Sequence, residues 1–386
     1  MNKARSVAAL AVLLIALPMA VALPARADAA TAATTPSSVH AELPRPTGPY
    51  SAGRQDLELL DRDRHDPWVP SAGPRRLMMS LYYPAQPHTG SSAPYMAPEA
   101  ARLLLDTKLP GNTIPDDALT GIRTWAATDA RPAPGRYPLV LLSPGFTLPR
   151  TTLTGLAEDL TSRGYVVALI DHTYENTGTT FPDGHTLPCV MCGRLRSPQD
   201  WADLDLSRAR DVSFVVDRLT ARTRPAWRYS GMIDAARIGM AGHSAGGAAA
   251  VPALLSDDRI RAGVDLDGTL DVPVPAAGIG STPFLLMGHP LPDGAEDPSW
   301  TTSWPRLDGW KRWLTVAGTN HASFTDLPLL LDSLGLPDEG RTVTAERALQ
   351  ITRDYTAAFF DQEVKSLNRP ILNGPTPRNP EVAFHP

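Results

Sequence analysis

Ser244 stands between two glycines in "GHSAGG", at the spacing Gly-x-Ser-x-Gly. A serine hydroxyl becomes a nucleophile when a histidine takes its proton and a carboxylate fixes that histidine's tautomer and steadies the imidazolium. The same five-residue spacing occurs in ordinary glycine-rich turns, so the flanks decide. "ARIGMAGH" before the serine reads as a strand, and "AGGAAAVPALLS" after it reads as a helix. So sharp a turn lifts the hydroxyl above the sheet edge, and side chains at Gly242 and Gly246 would clash there. In this context an acid and then a base follow the serine along the chain. Three histidines lie beyond it: His289, His321 and His385. His385 is the penultimate residue and is expected to fray. His289 ends the apolar run "PFLLMGH", where an acid-bearing loop begins. His321, in "LTVAGTNHASFTD" between the last long strand and a helix, is the expected base. Two acids stay open, Asp267 in "GVDLDGT" and Asp293 in "MGHPLPDG". Asp265 points to the other side of its strand and reads as structural.

These residues need a rigid scaffold, and the chain supplies its signals in order. "LMMSLYYP" (77–84), "YPLVLLSPG" (137–145) and "GYVVALIDH" (164–172) read as strands, with a helix over "TTLTGLAEDLTSRG" between the last two. Leu206, Ala209, Val212, Val216 and Leu219 recur at the helical period. Further strands follow at "RAGVDLD", "PFLLMGH" and "RWLTVAG", then terminal helices. The central strands are apolar on both faces, which predicts an α/β protein with a mostly parallel central sheet and helices on both faces. The Pro/Gly-rich stretch 85–136 is expected as an insertion or lid-like excursion, with one helix in "PEAARLLLDTKLPG".

Composition narrows the class. The 386 residues carry a formal charge of −5 and no Lys/Arg-rich stripe, which argues against a nucleic-acid partner. The N-terminus has a basic start, an apolar run and the site Ala25-Arg26-Ala27, the pattern of a signal peptide over residues 1–27. Its removal takes away Lys3, Arg5 and Arg26, which moves the charge from −5 to −8. Residues 28–49, rich in Ala, Thr, Ser and Pro, read as a disordered lead-in, and residues 50–386 as one catalytic domain. The chain's two cysteines, Cys189 and Cys192, lie in a loop context. In an exported protein they are expected as a local disulfide that stiffens the rim of the catalytic edge. No cluster has the spacing of a zinc or calcium site, so neither metal nor cofactor is expected. His172, near Asp171 and Tyr174, is read as a structural hydrogen-bonding residue, and His243 as a packing residue. Of the tryptophans, Trp125, Trp201, Trp227, Trp300, Trp304, Trp310 and Trp313 are read mostly as core or rim.

Across roughly residues 75–335 the chain resembles the platelet-activating-factor acetylhydrolases and related bacterial lipases and esterases. The likeness rests on "SLYYPA", "YPLVLLSPGF", "LTSRGYVVALIDH", "GHSAGG", "GVDLDGT" and "GTNHASFTD", in that order. The resemblance implies an α/β-hydrolase fold, with Asp267 favoured over Asp293 as the acid and His321 as the base. The family's Ser-His-Gly-x oxyanion stretch stands here as Ser143-Pro144-Gly145-Phe146. Pro144 replaces the histidine and lacks an N–H, while the N–H of Phe146 stays available. Phe146 and Ala245 are therefore the implied oxyanion donors. The expectation is an exported serine hydrolase that cleaves carboxylic esters through an acyl-enzyme. Its partner is a small-molecule or lipid ester, with transient contact to a lipid surface, and its oligomeric state is left open. Competing readings are an acyltransferase with the same triad, a peptidase, and a catalytically silent binding module on a hydrolase scaffold.

Overall fold

A computed structural model describes residues 41–115 and 117–386. The expected signal peptide lies outside the described residues. "YPLVLLS" is buried at every position, and its apolarity follows from what covers each face. Leu139 and Leu141 enter one hydrophobic core with Val212, Val216 and Leu219. Val140 and Leu142 enter a second core with Leu156, Tyr355 and Phe359. Successive strand residues alternate between two cores because their side chains point to opposite faces.

In chain order the strands are β1 (Ser51–His65), β2 (Pro74–Ala85), β3 (Ser91–Ser92), β4 (Ala127–Thr128), β5 (Tyr137–Ser143), β6 (Val166–His172), β7 (Gly178–Thr180) and β8 (Thr186–Pro188). They continue as β9 (Ile233–His243), β10 (Ile260–Leu266), β11 (Phe284–Gly288), β12 (Lys311–Val316) and β13 (Val382–Phe384). The helices are α1 (Pro98–Lys108), α2 (Thr154–Ser162), α3 (Pro198–Thr220), α4 (Ala245–Ala248), α5 (Ala250–Ser256), α6 (Pro298–Ser303), α7 (Leu327–Ser333) and α8 (Ala345–Glu363). Eleven strands form one sheet in the order β13-β12-β11-β10-β9-β5-β6-β2-β1-β4-β3. From β12 to β6 neighbours run parallel; β2 and β13 join antiparallel. Residues of α3 and α5 cover one face, those of α2 and α8 the other. From β5 the chain goes to β6 on one side and later to β9 on the other. The strand order therefore reverses at β5, and the crevice at the carboxyl ends of β5 and β9 is where ligands bind in such sheets.

Several sequence expectations change here. β1, a 15-residue strand, had no reading of its own, because "SAGRQDLELLDRDRH" is dense in charge. It pairs with β2 near the sheet edge, and its charges are used: Arg54 with Asp56, Glu58 with Arg76, and Arg64 with Asp61. The lead-in does not extend to residue 49 as loose chain. Ala41 and Leu43 are buried, Leu43 N donates to Arg123 O at 3.0 Å, and Thr47 donates to Asp159. Residues 85–136 hold the predicted helix as α1, but their β3 and β4 extend the sheet rather than form a lid. His385 is not frayed. β13 ties the C-terminus to β12, and the ring stacks on Trp313 at 4.6 Å. Cys189 and Cys192 form a disulfide just after the β7–β8 hairpin. The hairpin residues Gly178, Thr180 and Phe181 border a separate cavity of about 220 Å³, and neither cysteine lines the cavity at Ser244. Among the described residues no helix is long and apolar enough to cross a membrane.

Candidate active site

Ser244 sits between β9 and α4 at φ 55°, ψ −130°, a backbone conformation that non-glycine residues rarely adopt. A Cβ on Gly242 would lie 2.2 Å from Gly246 C, and one on Gly246 would lie 2.0 Å from Ser143 O. Only glycine fits at either place, so the turn is as tight as its spacing predicts. Asp267 follows β10 and also has positive φ, at 64°. His321 opens a short 3-10 turn after β12. The structure brings these three together. His321 Nε2 is 3.0 Å from Ser244 Oγ, and His321 Nδ1 is 2.6 Å from Asp267 Oδ2. Asp293 is exposed in a separate turn. Asp265 is buried, takes a hydrogen bond from Gly268 N, and bonds to neither histidine.

Burial raises the pKa of Asp267, but hydrogen bonds from His289 and then His321 outweigh that and hold it at about 2. The carboxylate is therefore ionised at neutral pH and can only accept, so each histidine facing it must donate from Nδ1. That tautomer leaves His321 Nε2 free to accept the Ser244 proton. His289 is the functional neighbour that sequence reading passed over. Its Nδ1 lies 2.8 and 2.7 Å from the two Asp267 oxygens, and its backbone N–H donates to Oδ1 at 2.8 Å. The hydrogen bond to Asp267 raises its pKa. His289 follows β11, the strand that pairs with β10, from whose end Asp267 leaves. Asp267, His289 and His321 present donor atoms within 4.8 Å of one another. Their mutual hydrogen bonds already occupy those atoms, so a cation would have to displace both Nδ1 protons.

His243 is buried with Nε2 2.8 Å from the carbonyl of His321. Burial and then the neighbouring His321 push its pKa down to about 3, so it is a neutral donor that holds the His321 loop. His172 lies apart from this group and contacts Ser143 and Asp211. Phe146 follows β5, and Ala245 follows Ser244 on adjacent β9. Among the described residues neither backbone N–H meets an acceptor, so both are available to a ligand. The cavity in front of Ser244 holds about 650 Å³ and is walled by Trp201, Trp300 and Trp313, with Asp271, Glu296 and Asp297 on its polar side. Trp227 is fully buried, Trp310 packs on Phe359, and Trp125 lies under Arg45 and Arg123, so these three are structural.

The family model of platelet-activating factor acetylhydrolase, isoform II, matches residues 35–184 and 226–371. A probable 1-alkyl-2-acetylglycerophosphocholine esterase of Arthroderma benhamiae is 29% identical over 92% of this chain and 96% of its own. A bis(hydroxyethyl) terephthalate hydrolase of Streptomyces coelicolor is 30% identical over 40% of this chain and 39% of its own. The solved ferulic acid esterase from Streptomyces cinnamoneus superposes with a TM-score of 0.80 at 42% identity, covering 89% of this chain and 99% of that one. The sheet order and helical layers are accordingly those of an α/β hydrolase. The chain belongs to the platelet-activating factor acetylhydrolase isoform II family and is a carboxylic ester hydrolase.

Proposed function

We propose that this enzyme is an exported serine esterase that works through an acyl-enzyme, with Ser244 as nucleophile, His321 as base and Asp267 as acid. The observation that carries the reading is the His321 ring, 3.0 Å from Ser244 Oγ on one side and 2.6 Å from Asp267 on the other. Ser244 Oγ attacks the ester carbonyl while its proton passes to His321 Nε2. The imidazolium so formed is steadied by ionised Asp267 and then protonates the leaving alcohol. Water, deprotonated by the same nitrogen, attacks the acyl-enzyme and releases the acid. In both halves the carbonyl oxygen becomes an oxyanion between the N–H groups of Phe146 and Ala245, and loss of one such donor costs about 3 kcal/mol.

The three tryptophans of the cavity support a flat or long apolar group on one side of the ester. The neighbouring ferulic acid esterase and the glycerophosphocholine esterase relative make feruloyl and acetyl esters the first substrates to compare. The Cys189–Cys192 bond fits an oxidising compartment, consistent with removal of residues 1–27 and export of the single catalytic domain. A fluorophosphonate probe should add one adduct at Ser244, and Ser244→Ala should abolish both labelling and ester hydrolysis without altering the circular dichroism. A folded Ser244→Ala enzyme within about tenfold of wild type would overturn the assignment.

A further inference from the structure

The chain contains a second Ser–His–Asp set, and it is sealed. His172 Nε2 is 3.0 Å from Ser143 Oγ, and His172 Nδ1 is 2.9 Å from Asp211 Oδ2. All three residues are at most 1% exposed, so no ester reaches them. Asp211, although buried, is kept ionised by Arg75, His172 and Arg64 and accepts the Nδ1 proton. Burial and then Arg208 lower the pKa of His172, so the ring is neutral and its Nε2 accepts from the Ser143 hydroxyl. What this set can do is hold the end of β5, from which the oxyanion stretch leaves.

The rest of that stretch is tied to the same buried network. Arg208, 1% exposed on α3, donates from Nη1 to the Pro144 carbonyl at 2.6 Å and from Nε to Glu175 Oε2 at 2.8 Å. Glu175 Oε1 accepts from Trp68 Nε1 at 2.7 Å and from Arg75 Nη2 at 3.1 Å. Thr147 N donates to the Glu175 carbonyl at 2.9 Å, and Leu148 N donates to the Gly145 carbonyl at 3.1 Å. A peptide is planar and trans, so a held carbonyl also aims the N–H across from it. The Pro144 tie therefore fixes the first peptide of the stretch. The Gly145 tie fixes the second, whose N–H is that of Phe146. The carbonyls of Pro144, Gly145 and Thr147 and the N–H of Thr147 are thus held, while the Phe146 N–H is without an acceptor among the described residues. A network this buried is costly to assemble unless each charge is paired. Here Arg64, Arg75 and Arg208 pair with Asp61, Asp66, Glu175 and Asp211, so each arginine meets at least one carboxylate.

We propose that Arg208 is a positioning residue for the oxyanion hole: with the sealed Ser143–His172–Asp211 relay it pins the peptide between Pro144 and Gly145, and so sets the chain on which the Leu148–Gly145 bond aims the Phe146 N–H before substrate arrives. The proposal rests on the assignment of Phe146 as an oxyanion donor. The test uses the full-length enzyme and its Arg208→Met, Arg208→Lys and Ser143→Ala variants. Three quantities are read: kcat and KM on a short aryl ester, the affinity of an aryl trifluoromethyl ketone, and thermal unfolding. The ketone adds to Ser244 as a tetrahedral adduct whose oxygen occupies the hole. Arg208→Met should lose about 10²-fold in kcat, as when one oxyanion donor is removed. Its KM should stay within about threefold, and ketone affinity should fall in parallel with kcat/KM. Arg208→Lys should recover part of that loss. Ser143→Ala removes one hydroxyl with little risk to folding and should lose up to about tenfold in the same pattern. A folded Arg208→Met enzyme with wild-type kcat overturns the proposal, as does a kcat loss with unchanged ketone affinity. Should Arg208→Met not fold, a wild-type kcat for Ser143→Ala overturns it instead. A wild-type enzyme that fails to bind the ketone would remove the oxyanion assignment itself, a separate result from variants that bind it as wild type does.

Discussion

At the scale of single residues, the proposed chemistry turns on one carboxylate with two imidazoles. Asp267 is held near a pKa of about 2 by hydrogen bonds from His289 and His321 that outweigh its burial. Chain order alone pointed to Ser244 and His321. The choice of Asp267 over Asp293 needed the family resemblance, because both acids follow strands at comparable places. The role of His289 was not legible. Nothing in "PFLLMGHP" tells that its backbone N–H and ring would both close on the neighbouring strand's carboxylate. Asp267→Asn should lower kcat by about 10⁴, the size seen when a triad histidine is left in the wrong tautomer. Asp293→Asn should stay within about twofold, as surface changes away from a site do. Steady-state kinetics on one ester decides, and the opposite ranking would move the acid to the next strand. His289→Asn keeps a donor for Asp267, whereas His289→Ala frees the carboxylate to turn. The alanine variant should lose about tenfold in kcat and the asparagine variant much less, as expected for one charge-assisted hydrogen bond.

At the scale of elements, β9 does two jobs in consecutive residues: Ser244 leaves its end, and His243, buried just before, holds the carbonyl of His321 at 2.8 Å. The elbow was legible because glycine spacing is a local signal. The His243 contact was not, since its partner lies 78 residues away. β1 was missed because charged residues near a sheet edge look like loop until their partners on β2 and α3 are known. His243 also carries a pH consequence. The unfolded chain takes up a proton near pH 6.5, while the folded protein resists until about pH 3. Stability therefore falls with acidification through that window, by up to about 1.4 kcal/mol per pH unit from this group. His243→Gln keeps an N–H for the His321 carbonyl and cannot titrate. Thermal melts at pH 7, 5 and 4 should show a shallower acid loss for His243→Gln than for wild type; parallel losses would remove His243 as the cause. The cysteine loop is the opposite case, an element whose signal was clear but whose place was not. Because neither cysteine borders the Ser244 cavity, mild reduction should change kcat/KM for short and long esters by the same small factor. A selective loss on the long ester would place the loop back at the rim.

At the scale of the whole molecule, the sheet order explains why the site is where it is, and the charge distribution says what it should admit. The proposed oxyanion donors leave adjacent β5 and β9, and the proposed acid leaves β10, so one crevice collects groups that are far apart in sequence. That much follows from strand–helix alternation. The cavity wall does not, because its Trp201, Trp300 and Trp313 come from α3, α6 and β12, and no local pattern announces their convergence. The same wall carries Asp271, Glu296 and Asp297 and, among the described residues, no lysine or arginine, in a chain whose formal charge is already −5. Water-poor walls focus such a field on whatever enters. An ester bearing a carboxylate should therefore bind worse than a neutral isostere, and a choline ester should bind better, by about tenfold each at low ionic strength and less at high. Burial and then Asp297 raise the pKa of Asp271 to about 6, so acidification through that value removes one negative charge. The handicap of the anionic ester should accordingly shrink between pH 7 and pH 5. Asp271→Asn combined with Glu296→Gln should shrink it at pH 7 while leaving the neutral ester's kcat unchanged, since neither residue contacts Ser244, His321 or Asp267. Ratios of kcat/KM for the three esters, at two salt concentrations and two pH values, measure all of this. Ratios that ignore salt, pH and the double substitution would mean that the acidic wall does not face the substrate.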